Sequence, residues 1–247
     1  MATAMPARGT LENTANWCAT RVGDLTHPSP NFGERKEGAQ PSLIVIHYTA
    51  MASAEAACRA LSNPETEVSA HYLIAPDGTL MSLVAEENRA WHAGAGRWGG
   101  VLDVNSHSIG IELSNDGFSP FSNRLMDALD LLLTQIRARW AIPAHRVIAH
   151  SDLAPGRKID PGARFDWQRL ARAGHAVWPD TQDAQPETFR AHAQAFGYTA
   201  EVPDDTLLKA FRLRFRPWAQ GPLDASDAGL AADLAARFPV DREGLVF

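Results

Sequence analysis

The chain has 247 residues, 45% of them hydrophobic and 21% charged, with a formal net charge of -6. That balance belongs to a folded protein of one large domain, or of one domain with a small companion, and it excludes global disorder. The negative charge removes any whole-protein electrostatic case for nucleic acid, and the short basic run Arg212, Arg214 and Arg216 is too small to restore one and is expected to face solvent.

Residues 1–40 are rich in Pro, Gly, Asn and Ser and read as an irregular N-terminal arm. They contain no continuous apolar stretch of the kind that makes a secretory leader, which points to the cytoplasm, and no run in the chain approaches the length of a membrane span. The two cysteines, Cys18 and Cys58, define no disulfide framework, and their pairing is open.

The first core strand is expected at Leu43–His47, where LIVI is continuously apolar, as in a central strand covered on both faces. A short helix follows over Ser53–Leu61, with Ser53 as its cap. Strands at Tyr72–Ala75 and Leu80–Val84 flank the turn signal Pro76-Asp77-Gly78. A further strand spans Ser108–Leu113. Ser122 caps a long helix over Asn123–Trp140, whose Leu125, Leu129, Leu132, Ile136 and Trp140 share one face. A short strand covers Arg146–Ala149 and another helix begins at Asp166. Interleaved strands and helices imply an α/β fold with a mixed central sheet flanked by helices. No GxGxxG or GxxxxGK[ST] supports a nucleotide site.

These elements define a main domain over residues 41–176, followed by a polar, proline-bearing linker over 177–186. Residues 187–247 read as a small three-helix domain. Phe189, Ala193 and Phe196 share a face in the first helix, Leu207, Leu208, Phe211 and Phe215 in the second, and Leu230, Leu234 and Phe238 in the third, which starts at Asp224 or Ser226. So small a unit is marginal alone and is expected to dock on the larger domain.

Two histidines end predicted strands, His47 after LIVI and His150 after VIA, where a fixed backbone can present a side chain to a cleft. Asp160 lies in the following loop, among Pro155, Gly156, Pro161 and Gly162. Two imidazoles and one carboxylate suit a tetrahedral zinc with an open fourth position, although strand-end histidines are more often simply hydrogen-bonded at the edge of a core. Glu112 is the one acid inside the apolar SIGIEL segment; pointing inward it needs a proton, a metal or a hydrogen bond, and pointing outward it is an ordinary edge glutamate. Lys158 offers positive charge for an oxyanion, or is a solvated loop lysine. Trp91 and His92, in AWHAGAGRWGG, read as a loop packing against something flat or sugar-like, while Trp91 and Trp98 would equally cap a core. His71 is an alternative ligand ranked below the other two histidines, and Asn115 could offer an amide to a peptide substrate.

VIHYTA (45–50), SAHYLIAPDG (69–78), AWHAG (90–94), SIGIELSNDG (108–117) and VIAHSDLAPGRKIDPG (147–162) resemble, in order and at similar intervals, the motifs of the zinc-dependent N-acetylmuramoyl-L-alanine amidases of the AmpD and AmiD type, relatives of the peptidoglycan recognition proteins. The resemblance covers about residues 40–175. It implies one zinc ion bound by His47, His150 and Asp160, with Glu112 activating water and Lys158 stabilising the tetrahedral intermediate. It also implies peptidoglycan or muropeptide fragments as partners. An aspartate as third ligand, where related phage amidases and many recognition proteins use cysteine, favours the AmpD and AmiD branch. The alternatives are a muropeptide-binding protein without catalysis and a zinc peptidase acting within the stem peptide. FRAHAQAFGY and LLKAFRLRFRP resemble the small helical peptidoglycan-binding domain of AmiD-like enzymes, which are usually exported, so that the resemblance sets the cell envelope against the cytoplasm as compartment.

Overall fold

A computed structural model describes residues 25–240; Cys18 and the N-terminal segment read above for a leader lie outside the described residues. The elements run β1 (Phe32–Glu34), β2 (Leu43–Tyr48), α1 (Ala54–Leu61), β3 (Tyr72–Ile74), β4 (Leu80–Ser82), β5 (Asn88–Ala90), α2 (Val104–His107), β6 (Ser108–Leu113), α3 (Asn123–Trp140), β7 (Val147–Ala149), α4 (His150–Leu153), α5 (Trp167–Arg172), α6 (Phe189–Phe196), α7 (Asp204–Phe215) and α8 (Ala225–Arg237). The main sheet has the order β4-β3-β6-β2-β7, with β3 and β4 antiparallel and the other pairs parallel. No helix among the described residues is long and apolar enough to cross a membrane.

The apolar run of β2 lies at the centre of this sheet, between β6 and β7, and both of its faces are covered. On one face Ile44, Ile46, Ile109, Ile111 and Leu113 meet the buried stripe of α3 together with Trp167 and Leu170 of α5. α3 starts where its cap demands, with Ser122 Oγ accepting from Leu125 N at 3.2 Å. Ser53 caps α1 in the same way. On the opposite face Leu43, Val45 and Ile148 lie in one core with Trp98 and with Phe189, Phe196, Phe211 and Phe215 of the C-terminal helices.

Those three helices therefore share a core with the sheet. Trp98 is fully buried, edge-on to Phe196 and Tyr198 at ring separations of 5.4 and 5.1 Å. The arginines expected to face solvent do otherwise. Arg214 is 1% exposed, donates to Asp152 Oδ2 at 2.6 Å and lies over the Trp167 ring at 4.2 Å. Arg212 is also buried, against Asp227, and Arg216 is half-buried between Asp224 and Asp227. The basic run is a set of internal counter-charges, since each guanidinium meets a carboxylate from another element.

The described part of the N-terminal arm, residues 25–40, is more ordered than its composition implied. β1 pairs antiparallel with β5, and Arg35, directly after β1, is buried with its guanidinium donating to the backbone oxygens of Glu86, Asn105, Ser106 and Ser108. Five hydrogen bonds to these four carbonyl oxygens, two of them to Glu86, hold a cation where burial pulls its pKa down to about 10. Cys58 is buried on α1 as a free thiol.

Candidate metal centre

In parallel strands the register partner of His47 is Glu112, and both side chains leave the sheet on the face that carries Val45 and Gly110. β7 runs on the other side of β2 and ends directly in α4, whose first residue is His150. The loop after α4 returns because Ser151 N donates to the Asp160 carbonyl oxygen at 3.0 Å, which sets Asp160 beside His150. Gly156 makes that return possible: its φ is +77°, and a Cβ there would come within 2.7 Å of Thr206 on α7.

The result joins residues 103 and 113 positions apart. His47 Nδ1 and His150 Nδ1 are 2.9 Å apart, and each is 3.0 Å from Asp160 Oδ2. His47 is 1%, His150 3% and Asp160 8% exposed. Two imidazole nitrogens and one carboxylate oxygen, converging in a buried recess, are a donor set suited to zinc with a fourth position open. Burial, helped by neighbouring His150, pushes the His47 pKa down to about 4, so the ring is neutral and able to act as a ligand at ordinary pH.

Glu112 Oε2 is buried and has no hydrogen-bond partner among the described residues. Burial first, and then the nearby Asp160 charge, push its carboxyl up to about 8, against the opposite pull of Lys158. Lys158 is half-buried on the same loop as Asp160. A carboxyl raised this far, beside a metal-type donor set and a lysine, is able to take up and release a proton near neutrality.

The other residues singled out from sequence take different places. His71 is fully buried behind the site: Gly110 N donates to its Nδ1 at 3.0 Å, and its Nε2 meets the Asn88 carbonyl oxygen at 3.1 Å, so neither nitrogen is free for a metal. His92 is buried as well, its Nδ1 3.0 Å from His47 Nε2, and it backs a ligand instead of facing a sugar. Trp91 is half-buried at the end of β5, with its backbone N–H on Ser69 Oγ at 2.8 Å. The Asn115 amide is consumed by its own turn, donating to Ser119 O at 3.2 Å and accepting from Gly117 N at 2.7 Å, while the residue borders a cavity of about 620 Å³.

Sequence reasoning passed over Arg157, whose Nη2 donates to the Ala93 carbonyl oxygen at 2.6 Å, and Tyr48, whose ring packs against Gly117 and Gly162. It also passed over Asn105 and Ser108, small polar residues directly around the start of β6. Tyr48 was detectable, as the residue after a strand-end histidine; the other three carry no periodic or compositional signal.

Residues 37–163 match the family described as N-acetylmuramoyl-L-alanine amidase. The N-acetylmuramoyl-L-alanine amidase AmiD of Escherichia coli (strain K12) is 34% identical over 264 residues, which covers 91% of this chain and 94% of the relative. The solved complex of E. coli AmiD with the substrate anhydro-N-acetylmuramic acid-L-Ala-D-gamma-Glu-L-Lys superposes with a TM-score of 0.75 at 30% identity, over 85% of this chain and 99% of the other. AMPDH3 from Pseudomonas aeruginosa, solved in complex with anhydromuramic pentapeptide, gives a TM-score of 0.74 at 31% identity, over 83% and 94% of the two chains.

Proposed function

Because the chain belongs to the N-acetylmuramoyl-L-alanine amidase family, we propose that it hydrolyses the amide joining the lactyl group of N-acetylmuramic acid to L-alanine in peptidoglycan or its muropeptide fragments. The observation that carries this reading is the convergence of His47, His150 and Asp160 beside a carboxyl, Glu112, whose buried Oε2 has no hydrogen-bond partner among the described residues. The two solved neighbours were both captured with anhydromuramyl peptides, which supports small fragments of that kind as substrates here.

His47, His150 and Asp160 would hold one zinc ion, which when bound supplies Lewis acidity to the scissile carbonyl and to a water molecule. Glu112 takes the proton of the attacking water as it adds to the carbonyl carbon, and gives it to the alanine nitrogen as the C–N bond breaks. Burial raises this carboxyl in the metal-free site, and a cation held by His47, His150 and Asp160 would draw it back towards the ionised form that accepts a proton. Lys158, whose charge is felt at both Glu112 and His47, offers a cation to the carbonyl oxygen as it becomes negative.

The test is release of free stem peptide from an anhydromuramyl peptide by the purified protein. Release that depends on zinc, stops with chelator and is lost in Glu112→Gln supports the reading. A protein that binds the muropeptide and leaves it intact is a binding protein instead.

A further inference from the structure

Both histidines meet the recess through Nδ1, so the hydrogen bond made by each Nε2 decides whether Nδ1 has a lone pair to give. His150 Nε2 lies 2.9 Å from the Ala93 carbonyl oxygen, which can only accept. His150 Nδ1 also faces an acceptor, Asp160 Oδ2 at 3.0 Å, so it is when Nδ1 gives its lone pair to a metal that the proton of the ring is held on Nε2 by the Ala93 carbonyl oxygen.

The other ring follows in three steps. Ser108 Oγ, 2.6 Å from the Val104 carbonyl oxygen, donates its one proton there. His92 Nε2, 3.1 Å from the same hydroxyl oxygen, must then be the donor in that contact. His92 Nδ1 is left as an acceptor for His47 Nε2–H at 3.0 Å, the tautomer that leaves the Nδ1 lone pair of His47 to a metal.

The partners of the two ligands, His92 and Ala93, are consecutive residues, and one side chain holds both. Asn105 Oδ1 accepts from His92 N at 3.1 Å and from Ala93 N at 2.8 Å. Val104, Asn105 and Ser108 come from one five-residue segment, and the Arg35 guanidinium grips its backbone at Asn105, Ser106 and Ser108. The His92 ring lies on Gly110, where any Cβ would fall 2.4 Å from a ring carbon.

We propose that His92, Ala93, Asn105 and Ser108 form a single positioning shell that presents both imidazoles in the Nδ1 lone-pair form, an inference that rests on His47, His150 and Asp160 being the zinc ligands. The shell acts by accepting the Nε2 protons of the two ligating rings, and hence on affinity.

Two measurements test it. Nitrogen-15 spectra of histidine-labelled, zinc-loaded protein at pH 7.5 should show His47, His150 and His92 all protonated at Nε2. Zinc affinity, by competition with a chromophoric chelator, should fall about 10- to 100-fold in Ser108→Ala and in Asn105→Ala. In a His92→Phe background Ser108→Ala should cost nothing further, because its influence passes through His92. Wild-type protein that binds no zinc overturns the ligand reading itself. Wild-type zinc binding with unchanged affinity in Ser108→Ala and Asn105→Ala, or a proton on Nδ1 of His92 in the zinc-loaded protein, overturns the shell alone.

Discussion

His47 of β2 and Glu112 of β6 are register partners in adjacent parallel strands, so a metal-type donor and a carboxyl leave the same sheet face about 4.8 Å of strand spacing apart. Strand pairing, not a flexible loop, sets their separation. Rigid placement of this kind lets a proton-transfer group act without reorganising.

Glu112→Gln keeps the shape of the side chain and removes its basicity. Turnover should fall about 10²- to 10⁴-fold while bound zinc, measured by elemental analysis, stays at the wild-type level. Zinc loss in that variant would mean that Glu112 acts as a ligand.

Buried, neutral histidine makes the zinc-free protein sensitive to acid. Burial, with Arg35 nearby, holds His71 at about 3, below its ordinary value of 6.5. Below pH 6.5 the unfolded chain binds a proton that the folded chain refuses, so the stability present above 6.5 is lost as pH falls towards 3, at up to about 1.4 kcal/mol per pH unit. Urea titrations between pH 7.5 and 5 should show this loss. His71→Gln, whose amide can replace both hydrogen bonds without titrating, should make the slope shallower, and an unchanged slope would assign the sensitivity elsewhere.

The C-terminal helices are tied to the ligand-bearing turn through one buried carboxylate. Asp152 Oδ2 accepts from Arg214 Nη1 at 2.6 Å and from Ala149 N at 2.8 Å, and its Oδ1 accepts from Tyr198 Oη at 2.5 Å. Arg214→Met strands that charge and should destabilise the protein by about 3–5 kcal/mol in denaturant unfolding. Adding Asp152→Asn should recover part of the loss, whereas simple additivity would show that the two residues do not act as a pair.

Gly110→Ala tests the packing beneath His92. The added methyl would meet the imidazole at 2.4 Å, so the ring must move off the sheet. The expected cost is about 1–3 kcal/mol of stability, with weaker zinc binding measured in the same preparation. Zinc affinity equal to wild type would show that the ring position does not matter to the ligand.

Much of this was legible in the chain because regular elements announce themselves by period. LIVI, SIGIEL and the stripe from Leu125 to Ile136 occupy the places their patterns require, and the resemblance joined His47 to His150 across 103 residues where spacing alone was silent. Three-residue strands such as β1 and β5 are too short to show alternation, and they were missed. Arg214 resembled a surface cation because nothing local reveals that Asp152, far upstream, waits for it. His92 was read as facing substrate for a similar reason: its burial depends on Gly110 and Ser108, residues of a strand that shows only its own periodicity.

The central claim is that the bond cut is the one between muramyl lactate and L-alanine. Mass analysis of an anhydromuramyl tripeptide after incubation with the zinc-loaded protein tests it most directly. The account predicts two products, the anhydro sugar with a free lactyl carboxylate and the intact tripeptide, neither formed in the presence of chelator. Fragments cut within the peptide, or the same two products undiminished by chelator, would contradict it.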